Sequence, residues 1–218
     1  PAPGTRVKVP FGRRSLIGVV LEHTGVEAAP AAGKLRYKAI ETVLDEAPLL
    51  PTELLELLRW AATYYQQPIG EAVAAALPGP LREGRKLRER TAGATRRADE
   101  IPPALTPEQE LALAALRTEG FGVHLLQGVT GSGKTELYLR RAQDARAAGQ
   151  QVLVLAPEIG LTPQLAERFA QRFGDGVASY HSGMTEAERA HVWLRTRAGE
   201  VSVVVGTRSA AFLPFRDL

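Results

Sequence analysis

Eight consecutive residues, Gly128-Val129-Thr130-Gly131-Ser132-Gly133-Lys134-Thr135, have the types and spacing that can grip a polyphosphate. Glycines let successive backbone N–H groups turn inward onto phosphate oxygens. The lysine ammonium at the end of such a loop reaches the β/γ oxygens, and the following threonine hydroxyl completes the shell of a magnesium ion. The pattern works in a particular setting: a strand leads into the loop, and a helix leaves it with the partial positive charge of its N-terminus facing the ligand. Val123-His124-Leu125-Leu126 is the apolar run expected of a buried strand, and Glu136-Leu137-Tyr138-Leu139-Arg140-Arg141 opens a helix-forming stretch. The predicted chemistry is binding of a nucleoside triphosphate with Mg2+, with Lys134 and Thr135 as the residues nearest the reaction.

The elements around this loop fall into two groups. Arg6 to Phe11, Ser15 to Glu22 and Tyr37 to Leu44 read as β-runs, the first two joined through Gly12-Arg13-Arg14 as in a hairpin. Thr52 is a candidate N-cap for a helix from Glu53 to Tyr65, with Leu54, Leu55, Leu58, Ala61, Ala62 and Tyr65 on its apolar face. Further on, the apolar strands Val123–Leu126, Val152–Leu155 and Val201–Val205 alternate with helical segments at Pro107–Arg117, Glu136–Ala148, Pro163–Phe173 and Glu186–Arg197. Continuous apolar strands alternating with helices predict an α/β fold whose parallel sheet carries helices on both faces. Thr106-x-x-Gln109 and Thr185-x-x-Glu188 are capping boxes that start two of the helices. Between the groups, Pro78 to Pro103 is rich in Pro and Gly. Arg82, Arg85, Lys86, Arg88, Arg90, Arg96 and Arg97 crowd it, and it reads as a solvated linker.

Bulk properties exclude several classes. The chain of 218 residues, 44% hydrophobic and 23% charged, can bury a core, and its formal net charge of +3 says little by itself about nucleic acid. No apolar run approaches the ~20 residues that span a bilayer and no signal pattern opens the chain, so a cytoplasmic protein without membrane contact is expected. The absence of cysteine removes disulfides and thiolate zinc sites, and the four histidines are scattered. The chain opens on Pro1 and closes on Leu218, and both ends are expected to be internal to a longer protein.

Four strings carry a resemblance: Gly128 to Leu139, Val154 to Gln164, His181-Ser-Gly-Met184 and Val205 to Phe215. In order and spacing they resemble the first motor lobe of the primosomal protein N′ (PriA) family, replication-restart helicases of superfamily two. Val7 to Gly12, Lys38 to Asp45 and Trp60 to Gly70 resemble the N-terminal part of the same family. The resemblance implies a β-rich DNA-binding domain over 1–78, a basic linker over 79–104 and a first RecA-like, P-loop lobe over 105–218. That lobe would be truncated before the family's Asp-Glu-Glu-His box, one strand beyond Leu218. It implies an ATP-dependent 3′-to-5′ DNA helicase that recognises stalled forks and initiates primosome assembly, with ATP and Mg2+ as cofactors. The implied partners are forked and single-stranded DNA, primosome proteins and single-strand-binding proteins. The alternative is a non-catalytic fork-DNA-binding and scaffolding protein with a vestigial nucleotide site. The family's winged helix, zinc module and second motor lobe have no counterpart here, so this chain alone is expected to hydrolyse ATP slowly if at all.

Site residues follow from the same resemblance. Pro157, Glu158, Gly160, Thr162 and Gln164 correspond to one loop on the single-strand track, and Gly206, Thr207 and Arg208 to a second; Gly12 and Lys38 map to a pocket for a DNA 3′ end. Thr162 with Pro163 reads as a helix cap followed by a first-turn proline. Glu158 follows a strand as a magnesium-binding acid would, but the family's acidic box lies elsewhere, which excludes it from that role. Gln109 has two compatible readings, a capping-box member and a contact to the adenine edge. Glu136 reads as a helix-surface residue, His124 and His181 as structural histidines, and Trp60, Tyr64 and Tyr65 as core packing rather than base stacking.

Overall fold

The computed structural model describes residues 1–23, 38–85, 101–116 and 120–218. Contacts gather these into two units. The first takes the described part of 1–90 with 184–194 and 212–214, and the second takes the described part of 91–183 with 195–211 and 215–218. Of the basic cluster, Lys86, Arg88, Arg90, Arg96 and Arg97 lie outside the described residues, as does Tyr37.

In the first unit, β1 (Arg6–Phe11) and β2 (Arg14–Val19) pair antiparallel in the register Phe11↔Arg14, leaving Gly12 and Arg13 as the turn. Gly12 stands at φ +61°, which a tight hairpin turn requires at its first corner and a Cβ would resist. β3 is only Thr42–Val43, hydrogen-bonded to the other edge of β1, so Lys38 precedes the strand in which it was expected. α1 (Thr52–Tyr64) buries Leu54, Leu55, Leu58, Ala61 and Ala62. Its cap position is taken by Pro51, whose carbonyl accepts from Leu55 N at 3.1 Å, and the side chain of Thr52 makes no capping bond. Two short helices follow, α2 (Ile69–Ala76) and α3 (Gly79–Arg82). The opening of the expected linker is therefore helical, and Leu81 is buried within it. Arg6 explains why it docks: its guanidinium holds Asp45 at 2.6 Å and also donates to the Leu81 carbonyl.

Trp60, Tyr64 and Tyr65 are 57%, 66% and 64% exposed, which corrects their assignment to the core. At roughly 100° per residue, Trp60 lies about 200° around the helix from the buried Leu58, and Tyr64 stands one turn beyond it. The rings pack on one another instead, Trp60 on Tyr64 at 5.1 Å between centroids and Tyr64 edge-on to Tyr65 at 4.9 Å.

The second unit holds a parallel sheet in the order β4-β6-β5, built from β4 (Val152–Leu155), β5 (Val177–Tyr180) and β6 (Val203–Gly206). Val203 and Val205 pack into a cluster with Leu139 and Ala142 of α5 (Lys134–Ala147) and with Ala166, Phe169 and Phe173 of α6 (Thr162–Phe173). Val204 faces the other way in the strand alternation and is also fully buried, so both faces of β6 are covered. Ahead of these runs α4 (Pro107–Ala115), opened by the Thr106–Gln109 capping box as expected. α7 (Glu186–Ala198) likewise begins with its box in place: Glu188 N donates to Thr185 Oγ1 at 3.3 Å and Thr185 N to Glu188 Oε2 at 3.0 Å.

Val123–Leu126 is not a strand. Val123 is 86% and Leu125 91% exposed, and among the described residues no strand pairs with them. A strand exists only through a partner's ladder. β6 pairs with β4 on one side and β5 on the other, and this apolar run adds to neither outer edge. The chain is thus an α/β protein with a parallel three-stranded sheet flanked by helices and a small antiparallel sheet at its N-terminus.

Candidate functional site

The phosphate loop keeps the turn geometry its sequence predicts even without a preceding strand. Gly131 and Gly133 both stand at φ +83°, the left-handed region open to glycine. Ser132 N donates to Val129 O at 3.2 Å to close the turn, and Gly133 caps α5, so the helix begins at Lys134. Lys134 Nζ lies across the loop, donating to the carbonyls of Gly128 at 2.6 Å and Val129 at 2.8 Å. Gly128, Val129 and Thr130 are exposed and Thr135 is half-buried, so the loop is open to solvent. The capping-box reading of Gln109 holds. Its side chain completes the capping box by accepting from Thr106 N at 3.0 Å, and its Nε2 extends toward Ser132 O at 3.4 Å. A Cβ on Gly133 would collide with that amide, so the glycine is what lets Gln109 lie against the loop. A glycine-lined turn, one ammonium and a helix N-terminus suit a triphosphate with its magnesium ion.

Glu136 is not on the surface. It is 8% exposed, and its carboxylate accepts from Arg172 of α6 through two nitrogens, at 2.8 and 3.2 Å, and from Arg140 Nε at 2.9 Å. An acid in the first turn of the phosphate-loop helix would repel phosphate if left bare, and two guanidiniums neutralise it. The sequence shows the acid plainly, but its partner lies 36 residues away and no local pattern points to it.

The two loops predicted to follow strands leave neighbouring strands at one edge of the sheet. β4 and β6 run parallel in the register Leu155↔Gly206, with Ala156 N donating to Gly206 O at 2.8 Å. β5 ends at the same level, because Tyr180 pairs with Gly206 and its carbonyl accepts from Thr207 N at 3.2 Å. Carboxyl ends of adjacent parallel strands are where open α/β sheets place their ligands. Pro157, Glu158, Gly160 and Gln164 are exposed on the first loop, and Arg208 is exposed on the second with Thr207 half-buried. Thr162 and Gly206 are buried. Leu161, not Thr162, occupies the N-cap of α6, and the Thr162 hydroxyl donates backward to Glu158 O at 3.2 Å, pinning the turn before the helix. Gly206 is a glycine for close packing, since a Cβ there would stand on Tyr180 O and 2.6 Å from Ala210 Cβ.

In the first unit, Gly12 has nothing within 4 Å of where a Cβ would stand, and Lys38 is exposed, so both face solvent. His181 is a structural histidine as expected, its Nδ1 accepting from Gly183 N at 3.2 Å. His124 belongs to the exposed segment rather than to a strand. α7 carries contacts the sequence did not announce. Trp193, fully buried, donates its indole N–H to Ala76 O at 3.0 Å, and Glu186 accepts from Gly79 N at 2.5 Å. That backbone hydrogen bond holds the Glu186 carboxyl below the ordinary glutamate range, outweighing the desolvation that opposes it, and Arg189 and Arg82 add to the lowering. Among the described residues, no group of His, Asp and Glu could hold a metal by itself, and no helix is long and apolar enough to cross a membrane.

Comparison with known proteins adds two domain matches. Residues 1–78 match the family model described as 3′DNA-binding domain (3′BD), and residues 106–216 match the model described as DEAD/DEAH box helicase. Among curated proteins, the chain is similar to several named replication restart protein PriA. It is 32% identical over 290 residues to that of Haemophilus influenzae, covering 99% of this chain and 39% of that protein. With that of Treponema pallidum it shares 36% over 217 residues, 99% of this chain and 33% of the relative. With that of a Synechocystis species it shares 52% over 117 residues, 53% of this chain and 14% of the relative. The chain thus spans roughly a third of the length of the relatives it matches end to end.

Proposed function

Since the chain belongs to the DEAD/DEAH box helicase family, matched over residues 106–216, we propose that it forms part of an ATP-dependent 3′-to-5′ DNA helicase. The whole protein would act in replication restart, the role that the names of its relatives carry, by recognising stalled replication forks and initiating primosome assembly. The backbone of Gly128–Thr135 holds the phosphates, Lys134 exchanges its two loop carbonyls for β/γ oxygens, and Thr135 contributes a hydroxyl to Mg2+. Gln109, whose amide lies against the phosphate loop, contacts the adenine edge. Single-stranded DNA runs over Pro157, Glu158, Gly160 and Gln164 and over Thr207 and Arg208, with Thr162 and Gly206 shaping those loops from beneath. Gly12 and Lys38 receive a DNA 3′ end within residues 1–78. Forked DNA, primosome proteins and single-strand-binding proteins are the proposed partners, in the cytoplasm. The Mg-binding acid, the water-positioning residue and the facing arginine that hydrolysis needs have no assigned counterpart in this chain, so the 218 residues alone bind nucleotide and turn it over slowly.

The observation that supports this reading best is the parallel register Leu155↔Gly206, which brings two loops matched to a DNA track to one sheet edge. The test is thermal unfolding with Mg·ATP. At a hundredfold excess over Kd, a ligand specific for the folded state adds about 2.7 kcal/mol, or about 5–10 °C for a chain of this size. Lys134→Ala should abolish the shift, and equal shifts in both proteins would refute the assignment. Salt-sensitive binding of single-stranded DNA, unaffected by small metabolites, is the companion expectation.

A further inference from the structure

The buried ion pair between α5 and α6 takes no part in the reading above. Arg172 stands next to last in α6 and Glu136 two residues past Lys134, and they are 6% and 8% exposed. Two nitrogens of one guanidinium meet two oxygens of one carboxylate, at 2.8 and 3.2 Å, a fork-to-fork grip that fixes orientation as well as distance. Neither charge can be left alone at this depth without a large desolvation cost, so the two helix segments move together or not at all.

α6 is fastened at three places along its length. Its first residue, Thr162, is fully buried and tied to Glu158 O at 3.2 Å, inside the loop that follows β4. Near its middle, Phe169 is fully buried in the cluster that includes Leu139 and Ala142 of α5. At its far end Arg172 holds Glu136. A twelve-residue helix at 1.5 Å per residue is a rod of about 18 Å. A displacement of the Pro157–Leu161 loop therefore reaches the first turn of the phosphate-loop helix through one rigid element and one two-pronged contact.

Resting on the reading that Gly128–Thr135 binds a nucleoside triphosphate and that Pro157–Gln164 meets DNA, we propose that Arg172 is a positioning residue of the nucleotide site. Acting through Glu136, it carries the thermodynamic coupling between nucleotide and single-stranded DNA. It touches neither ligand. It sets the charge and the position of the helix start that faces the phosphates, and its own helix begins at the DNA loop.

The test measures affinity for the fluorescent nucleotide mant-ATP with Mg2+, without and with saturating dT20, in the 218-residue chain. In the wild type the ratio of the two affinities should depart from unity by at least about fivefold. The double variant E136L/R172M removes both charges of the fork, and Arg140, which also holds Glu136, keeps its bond to Pro103 O at 2.8 Å and its access to solvent, so the melting temperature should stay near that of the wild type. Its ratio should fall to within about twofold of unity. R172K, which keeps the charge but loses the fork, should lie between. A folded double variant with the wild-type ratio overturns the proposal, and so does a wild-type ratio of one. Should the double variant fail to fold, R172K decides, an unchanged ratio overturning the coupling role. A wild type that binds neither mant-ATP nor dT20 refutes the functional reading itself, and the coupling falls with it.

Discussion

Two glycines of the proposed DNA track should behave in opposite ways when each is replaced by alanine. At Gly206 a Cβ would stand on the carbonyl oxygen of Tyr180 and 2.6 Å from the Cβ of Ala210. Neither atom belongs to a side chain that can rotate away, so β6 must separate from β5 or the turn over Arg208–Phe212 must lift. Overpacking of this kind costs about 1–3 kcal/mol. The strand-end hydrogen bond from Thr207 N to Tyr180 O at 3.2 Å is the first to be lost, at about 1 kcal/mol more. Gly206→Ala should therefore destabilise the protein by about 2–4 kcal/mol and lower its melting temperature by about 5–15 °C. At Gly160 nothing lies within 4 Å of the position a Cβ would take. Gly160→Ala should leave stability within about 1 kcal/mol, since the more restricted unfolded chain offsets any local strain. It should still weaken binding of labelled dT20 by about tenfold, because on the proposed track the methyl group would stand where a phosphate approaches the backbone. Thermal and urea unfolding followed by circular dichroism, with fluorescence anisotropy for the DNA, would separate the two cases. Melting of Gly206→Ala within about 2 °C of the wild type would refute the close-packing argument.

Trp193→Phe should cost about 1–3 kcal/mol in urea unfolding, because it strands the Ala76 carbonyl that now accepts the indole N–H at 3.0 Å in a fully buried setting; an unchanged midpoint would show that another donor replaces it. Glu186 predicts a pH dependence. Its carboxyl titrates below the ordinary range of about 4.3 when folded, so as the pH falls the unfolded chain takes up the proton first. The stability it contributes is complete above that range and is lost as the pH drops through the depressed folded value. Glu186→Gln should therefore be less stable than the wild type at pH 7, and the difference should close toward pH 3. A difference that stays constant over that interval would mean that Gly79 N does not select the charged form.

How much of this was legible in the sequence depended on whether the information was local. Val152–Leu155, the Thr106–Gln109 box, the hairpin turn at Gly12 and the left-handed glycines of the phosphate loop are fixed by short-range patterns, and the structure reproduces each. Val123–Leu126 has equally clear apolar character and yet forms no strand, because a strand is made by its neighbour's ladder as well as by its own residues, and among the described residues this run pairs with none. Trp60 and Tyr64 differ from expectation for another reason. They sit on a helix with a strong apolar face, but the buried set Leu54, Leu55, Leu58, Ala61 and Ala62 defines that face and leaves both rings outside it. Thr162 shows how one fact can mislead locally. A threonine before a proline reads as a cap, but burial turns its hydroxyl backward onto Glu158 O and moves the cap to Leu161.

Glu136 is the sharpest case. An acid in a helix's first turn is favourable on dipole grounds and suggests a solvated residue, so nothing nearby calls for Arg172. Only the shared buried cluster that takes Phe169 from α6 and Leu139 from α5 brings that arginine within 2.8 Å. The residues that would touch ligands are written in contiguous strings, because a loop must present neighbouring groups to one small object. The residues that hold those loops in mutual register come from distant positions, because register is a relation between elements. A sequence reading of such a site will find the ligand contacts first and the couplings between them last.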